Sequence, residues 1–131
     1  MPSDKITPGL IYSVSVTVDS TNTAETVKSG GLKVFATPAM IALIERAAFE
    51  SVEGLMEQGQ TTVGTVVNVE HIAASPLGAQ VTAMVTVEAI EGRKIDFTVS
   101  AYDNVGEVGR GTHSRFIIDT EKFMSKVQVR K

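Results

Sequence analysis

Cysteine is absent from all 131 residues, which excludes disulfides, thiol catalysis and cysteine-ligated zinc. Only two histidines occur, His71 and His113, too few for a histidine-only metal site within one chain. No run approaches the ~20 apolar residues that a membrane-spanning helix needs. Met1 to Gly9 is polar, with no apolar stretch behind it, so no signal peptide is expected and the cytoplasm is the default location. There is no P-loop, no G-x-G-x-x-G opening a helix and no H-E-x-x-H. A cationic excess is missing too. Twelve Lys plus Arg stand against fifteen Asp plus Glu, for a net charge of −3, and the pI is about 5.3. Nucleic acid is therefore not an expected partner.

What is present is core-forming material. Hydrophobic residues make up 43% of the chain, enough for one domain over residues 1–131 that buries roughly two-thirds of its unfolded surface. Leu10 to Val18 reads as a strand, with Val14, Val16 and Val18 alternating against Ser13, Ser15 and Thr17. Asp19 to Gly31 is polar, ends in Ser29-Gly30-Gly31 and reads as a long loop of the kind that often forms lids or binding segments. Thr37-Pro38 predicts a helix start, with Thr37 as N-cap, and Gly54 its end. Ile41, Ile44, Ala48, Val52 and Leu55 form the apolar stripe, widened by Leu43, Ala47 and Phe49. So wide an apolar face predicts a helix wrapped on more than one side.

From Thr61 onward the period is two. Val63, Thr65, Val67, Val69 and His71 share one strand face. Val81 to Ala89 and Ile95 to Ala101 line the next two strands, separated by the Glu91-Gly92 turn. The last strand runs from Glu107 to Ile118, and its Gly109 and Gly111 predict close approach by a backbone or ligand. Strand, helix, then four strands joined by short turns make an α+β domain with an antiparallel sheet covering one long helix.

Three polar positions interrupt this apolar pattern. Glu45 lies about 90° from the centre of the helix stripe, closer to the core than the other charged residues of the helix. It is either a partly desolvated carboxylate or a border residue reaching solvent. His71 ends an apolar strand face and is either a base or a satisfied structural histidine. His113 alternates with Glu107, Gly109, Gly111 and Arg115, and either lines the same cleft or faces solvent. N-capping alone accounts for Thr37.

The combined order is more specific. Val34-Phe35-Ala36-Thr37, Met40, Leu43 to Glu45, Gly64-Thr65, Glu70-His71 and Gly111-Thr112-His113 together resemble the fluoroacetyl-CoA thioesterase group of hotdog-fold thioesterases. The resemblance runs from about residue 10 to Glu121-Lys122-Phe123. It implies a hotdog domain, hydrolysis of an acyl-CoA substrate without a separate cofactor, and a homodimer with sites at the subunit interface. The family's catalytic threonine, glutamate and histidine would fall on Thr37, Glu45 and His71. Its thioester-contacting glycine would be Gly64 and its cleft arginine Arg115. Where the fluoroacetate-specific member carries a phenylalanine lid, this chain reads Lys28-Ser29-Gly30-Gly31, which implies a broader short-chain acyl group.

Thioester hydrolysis needs a nucleophile or oriented water, proton transfer, and donors for an oxyanion, and these residue types supply them. Eight residues of continuous helix rise about 12 Å, so direct contact between Thr37 and Glu45 is not expected within one chain. Either His71 bridges them, or the helix starts later, or two chains share the site. The tail cations Lys122, Lys126, Arg130 and Lys131 either attract coenzyme A phosphates or are simply solvated. A non-catalytic acyl-CoA-binding module and an enoyl-thioester hydratase are the competing functions; the hydratase relatives use an aspartate–histidine pair, and no aspartate lies near His71 in sequence.

Overall fold

Residues 5–131 are described by the computed structural model; Met1 to Asp4, on which the signal-peptide expectation partly rests, lie outside them. Five strands, β1 (Ile11–Thr17), β2 (Gln60–His71), β3 (Gln80–Glu91), β4 (Lys94–Tyr102) and β5 (Glu107–Asp119), accompany three helices, α1 (Ala24–Val27), α2 (Thr37–Glu53) and α3 (Thr120–Val129). The strands form one antiparallel sheet in the order β1-β3-β4-β5-β2. Helix α2 touches β1, β2, β3 and β4, so the sheet curls around it as the width of its apolar face requires.

The predicted alternation fixes the core. Val81, Ala83, Val85 and Val87 of β3 point inward, as do Ile95, Phe97, Val99 and Ala101 of β4, and all are buried. They meet Met40, Leu43, Ile44, Ala47, Ala48 and Val52 of α2. The two alanines let the helix settle close to the sheet. Gly92, with φ of 60°, makes the β3–β4 turn that the Glu91-Gly92 pair predicts. The close approach read from the β5 glycines is also present. A Cβ on Gly109 would sit 2.5 Å from Met40 Sδ, and one on Gly111 would overlap the Asn68 carbonyl oxygen.

Four local expectations need correction. Thr37 is not the cap. Ala36 occupies that position with extended dihedrals, and Thr37 is already helical. Pro38 fits the first turn because its missing N–H would have had no intrahelical partner there. Ile41 is only half-buried, and Met40 takes its place in the stripe. The single face expected along β2 is broken by a bulge between Gly64 and Val66, which leaves Val67 exposed. The chain also holds more than one helix. The loop after β1 contains the single turn α1, capped by the Thr23 side chain, and the basic tail is the ten-residue α3. Phe123, Met124 and Val127 give α3 too narrow an apolar face to announce it, and none of its residues is buried.

Candidate active site

Helix α2 carries two of the expected residues about 12 Å apart along its axis. At its first residue, the Thr37 hydroxyl lies 2.8 Å from His71 Nδ1. The hydroxyl is available because Ala36, not Thr37, closes the helix start. His71 is the last residue of β2, and the chain beyond it is tied down by Ile72 N–H donating to the Val108 carbonyl at 2.7 Å. Phe35 N–H donates to the Ser75 carbonyl at 2.9 Å, fixing the segment that leads into α2. Two anchored segments therefore hold the hydroxyl and the imidazole together.

His71 is half-buried, and loss of hydration pushes its pKa below the usual 6.5. The ring is thus neutral at neutral pH, as a base must be. Its Nε2 is enclosed and has no hydrogen-bond partner among the described residues. A neutral imidazole against a hydroxyl is a base–nucleophile pair, and the positive end of the α2 dipole favours negative charge developing beside it. The pair opens on a cleft of about 300 Å³ lined by Ala24, Ser29, Val34, Phe35, Ile72 and Ala73. That is roughly ten times the share of volume one liquid water occupies, enough for an acyl group of several carbons.

The second cluster surrounds Glu45, whose side chain is 42% exposed. Its Oε2 lies 3.8 Å from an NH1 nitrogen of Arg115, an ion pair rather than a hydrogen bond. Arg115 is only 6% exposed. Its Nε donates to the Thr62 hydroxyl at 2.8 Å and its NH2 to the Thr62 carbonyl at 3.0 Å. Its guanidinium also lies 5.8 Å from the centre of the Phe49 ring. Burial lowers the Arg115 pKa, Glu45 and Glu53 act against that, and a guanidinium so placed keeps its charge. Gly64 completes the cluster. A Cβ there would stand 2.7 Å from Glu45 Oε2, so only glycine leaves the carboxylate where it is.

His113 joins this second cluster. It is 1% exposed, not solvent-facing, and its ring stacks on Phe97 with centroids 6.0 Å apart. Of the residues that seat Arg115, Thr62 is not singled out from the sequence, and Phe49 is read there only as part of the wide apolar helix face. An alternating strand residue and one more apolar helix residue give no signal of their own.

Thus Thr37 and His71 meet, and Glu45, Gly64 and Arg115 meet. Among the described residues, no hydrogen bond or ion pair joins Glu45 to Thr37 or His71. The helix does start at Thr37, so a later start does not relieve the separation.

A sheet curled around one helix in this strand order is a hotdog domain. The hot-dog-like protein from Thermanaerovibrio acidaminovorans superposes with a TM-score of 0.90 at 26% identity, covering 98% of this chain and 95% of that one. The solved structure of the fluoroacetyl-CoA thioesterase FlK superposes with a TM-score of 0.93 at 33% identity, covering 98% and 99%. The fold is thus that of a hotdog thioesterase, a thioester hydrolase. A fluoroacetyl-CoA thioesterase from Streptantibioticus cattleyicolor is 42% identical over 96 residues, 73% of this chain and 69% of its own. The family model for fluoroacetyl-CoA-specific thioesterases matches residues 18–121. The chain belongs to that family, and with it to the acyl-CoA thioesterases.

Proposed function

We propose that the chain is a cytoplasmic, homodimeric thioesterase that hydrolyses a short-chain acyl-CoA to the free acid and coenzyme A, with no added cofactor. The observation that carries this reading is the hydroxyl–imidazole pair of Thr37 and His71, 2.8 Å apart at the mouth of a cleft. Thr37 Oγ attacks the thioester carbonyl while His71 takes its proton. His71 then returns that proton to the departing coenzyme A sulfur, leaving an acyl-threonine ester. Water hydrolyses the ester: Glu45 accepts the proton that water gives up and returns it to the departing Thr37 Oγ, which frees the acid and restores both hydroxyl and carboxylate. Gly64 lies against the thioester, and Arg115 holds the carboxylate.

Glu45 enters from a second chain. Strand β2 is an outer strand of the sheet, and its Val66 and Val67 are 53% and 36% exposed. An open edge of this kind pairs readily with another strand. Two copies joined antiparallel about a two-fold near these valines bring the His71 end of one β2 to the Gly64 end of the other. Thr37 and His71 of one subunit then face Glu45 of the partner subunit. The acyl group is short but not confined to two carbons, because Ser29 lines the cleft and the adjoining Gly30-Gly31 adds no side chain that would close it.

Subunit mixing tests the assignment. Thr37→Ala and Glu45→Ala should each lose about a hundredfold or more of thiol release over a panel of acyl-CoAs. Unfolded and refolded together, they should recover about a quarter of wild-type activity, since half the dimers are mixed and each mixed dimer has one intact site. No recovery, with both variants slow and dimeric, would place the site within one chain. Thioester binding without thiol release by the wild-type protein would make the domain a binding module.

A further inference from the structure

His113 is buried on β5 with no role in the steps above, yet both ring nitrogens are committed. Nδ1 lies 2.7 Å from the Val66 carbonyl oxygen. A carbonyl only accepts, so Nδ1 carries the proton. Nε2 is then a bare lone pair, and an NH1 of Arg115 donates to it at 3.3 Å. Burial, with the Arg115 charge, lowers the ring's pKa against the opposing pull of the Val66 hydrogen bond and the Glu45 charge, so the ring is neutral. Val66 is the first residue after the β2 bulge, and Gly64 the last before it. A Cβ on Gly64 would lie 3.3 Å from His113 Cε1, so the ring forms the floor beneath that glycine. The same Arg115 NH1 that reaches His113 is the one 3.8 Å from Glu45.

One imidazole therefore touches, at its two ends, the bulge that presents Gly64 and the guanidinium that faces the carboxylate. We propose that His113 is a positioning residue of the thioesterase site, acting through Val66 on Gly64 and through Arg115 on Glu45. This rests on the catalytic reading of Glu45 given above. Packing alone would ask only for a flat ring against Phe97, which phenylalanine would supply. The two hydrogen bonds ask for an imidazole.

The test is a double-mutant cycle between His113→Phe and Glu45→Ala, with kcat, KM and melting temperature measured for each. His113→Phe keeps the ring stack and removes both bonds. It should lower kcat about tenfold or more with KM changed less than about threefold, as a slightly misplaced carboxylate would. In the Glu45→Ala background it should cost clearly less in kcat than in the wild type, only the part that runs through Gly64 remaining. His113→Asn, which retains a donor at the Nδ1 position, should recover part of the lost kcat and provides a second variant if phenylalanine folds poorly. A wild-type kcat in both His113 variants would overturn the proposal. So would the same fold-loss with and without Glu45, which would mark a general structural effect. If Glu45→Ala itself keeps the wild-type rate, the catalytic reading of Glu45 falls and this proposal falls with it; additive losses with Glu45→Ala slow overturn the His113 role alone.

Discussion

Gly64→Ala is the smallest change that should separate stability from catalysis. The added methyl would sit 2.7 Å from Glu45 Oε2, where ordinary contact begins near 3.4 Å, so something must yield by about 0.7 Å. His113 Cε1 at 3.3 Å and the Arg115 nitrogen at 3.4 Å already stand close on the other sides, and both groups are held by hydrogen bonds. The Glu45 carboxylate is the free end of a 42% exposed side chain, so it is the group that moves. The backbone at residue 64 is not left-handed, so alanine adds no strain of its own. Stability should therefore fall by less than about 1 kcal/mol. A catalytic group displaced by about 1 Å loses on the order of a hundredfold in rate. The expected loss in kcat is thus about 10- to 100-fold, or about 1.4 to 2.7 kcal/mol of barrier. Thiol release from acyl-CoA gives the rate and a thermal melt gives the stability. A Gly64→Ala enzyme as fast as wild type, alongside a slow Glu45→Ala enzyme, would refute the claim that the carboxylate must occupy this spot.

Two further outcomes follow from the same geometry. Because burial lowers the His71 pKa below 6.5, the base stays neutral as pH falls through that value; kcat/KM should hold level there and decline only at lower pH. An acid limb with its midpoint above 6.5 would contradict the assignment. Val67→Glu should set two like charges near each other across the β2 edges, giving a folded monomer by light scattering with thiol release reduced about a hundredfold or more. A monomer with full activity would remove the shared site.

The sequence makes regular elements legible where period and punctuation agree. Thr37-Pro38 and Gly54 bracket α2, and the alternation of Val81 to Val87 and Ile95 to Ala101 marks the faces of β3 and β4. It is silent where a tertiary contact decides. The bulge at Gly64 and Val66 depends on β5 lying alongside, some fifty residues away, so nothing local to β2 signals it. His113 could be read either way because its burial depends on β5 lying inside the sheet rather than at an edge. The site residues came from the ordered motif. Periodicity put Glu45 only at the border of the stripe, where it is in fact half-exposed. The separation of Thr37 from Glu45 was legible by contrast, because helix rise alone sets it.

The strand order also bears on how the molecule is made. The β3–β4 and β4–β5 contacts join strands consecutive in the chain, but β2 pairs with β5, with two strands between them in the chain. Residues 72–106 separate the two, and translation at ~5–20 residues per second takes roughly 2 to 7 s to add them. Through that interval a twelve-residue strand bearing Val66, Val67 and His71 lacks its one neighbour in the sheet, and its valines are a hazard to any nascent chain nearby. The ribosome must reach the end of β5 before the imidazole and the bulge exist in working form, so fragments cut short before β5 should be insoluble as well as inactive.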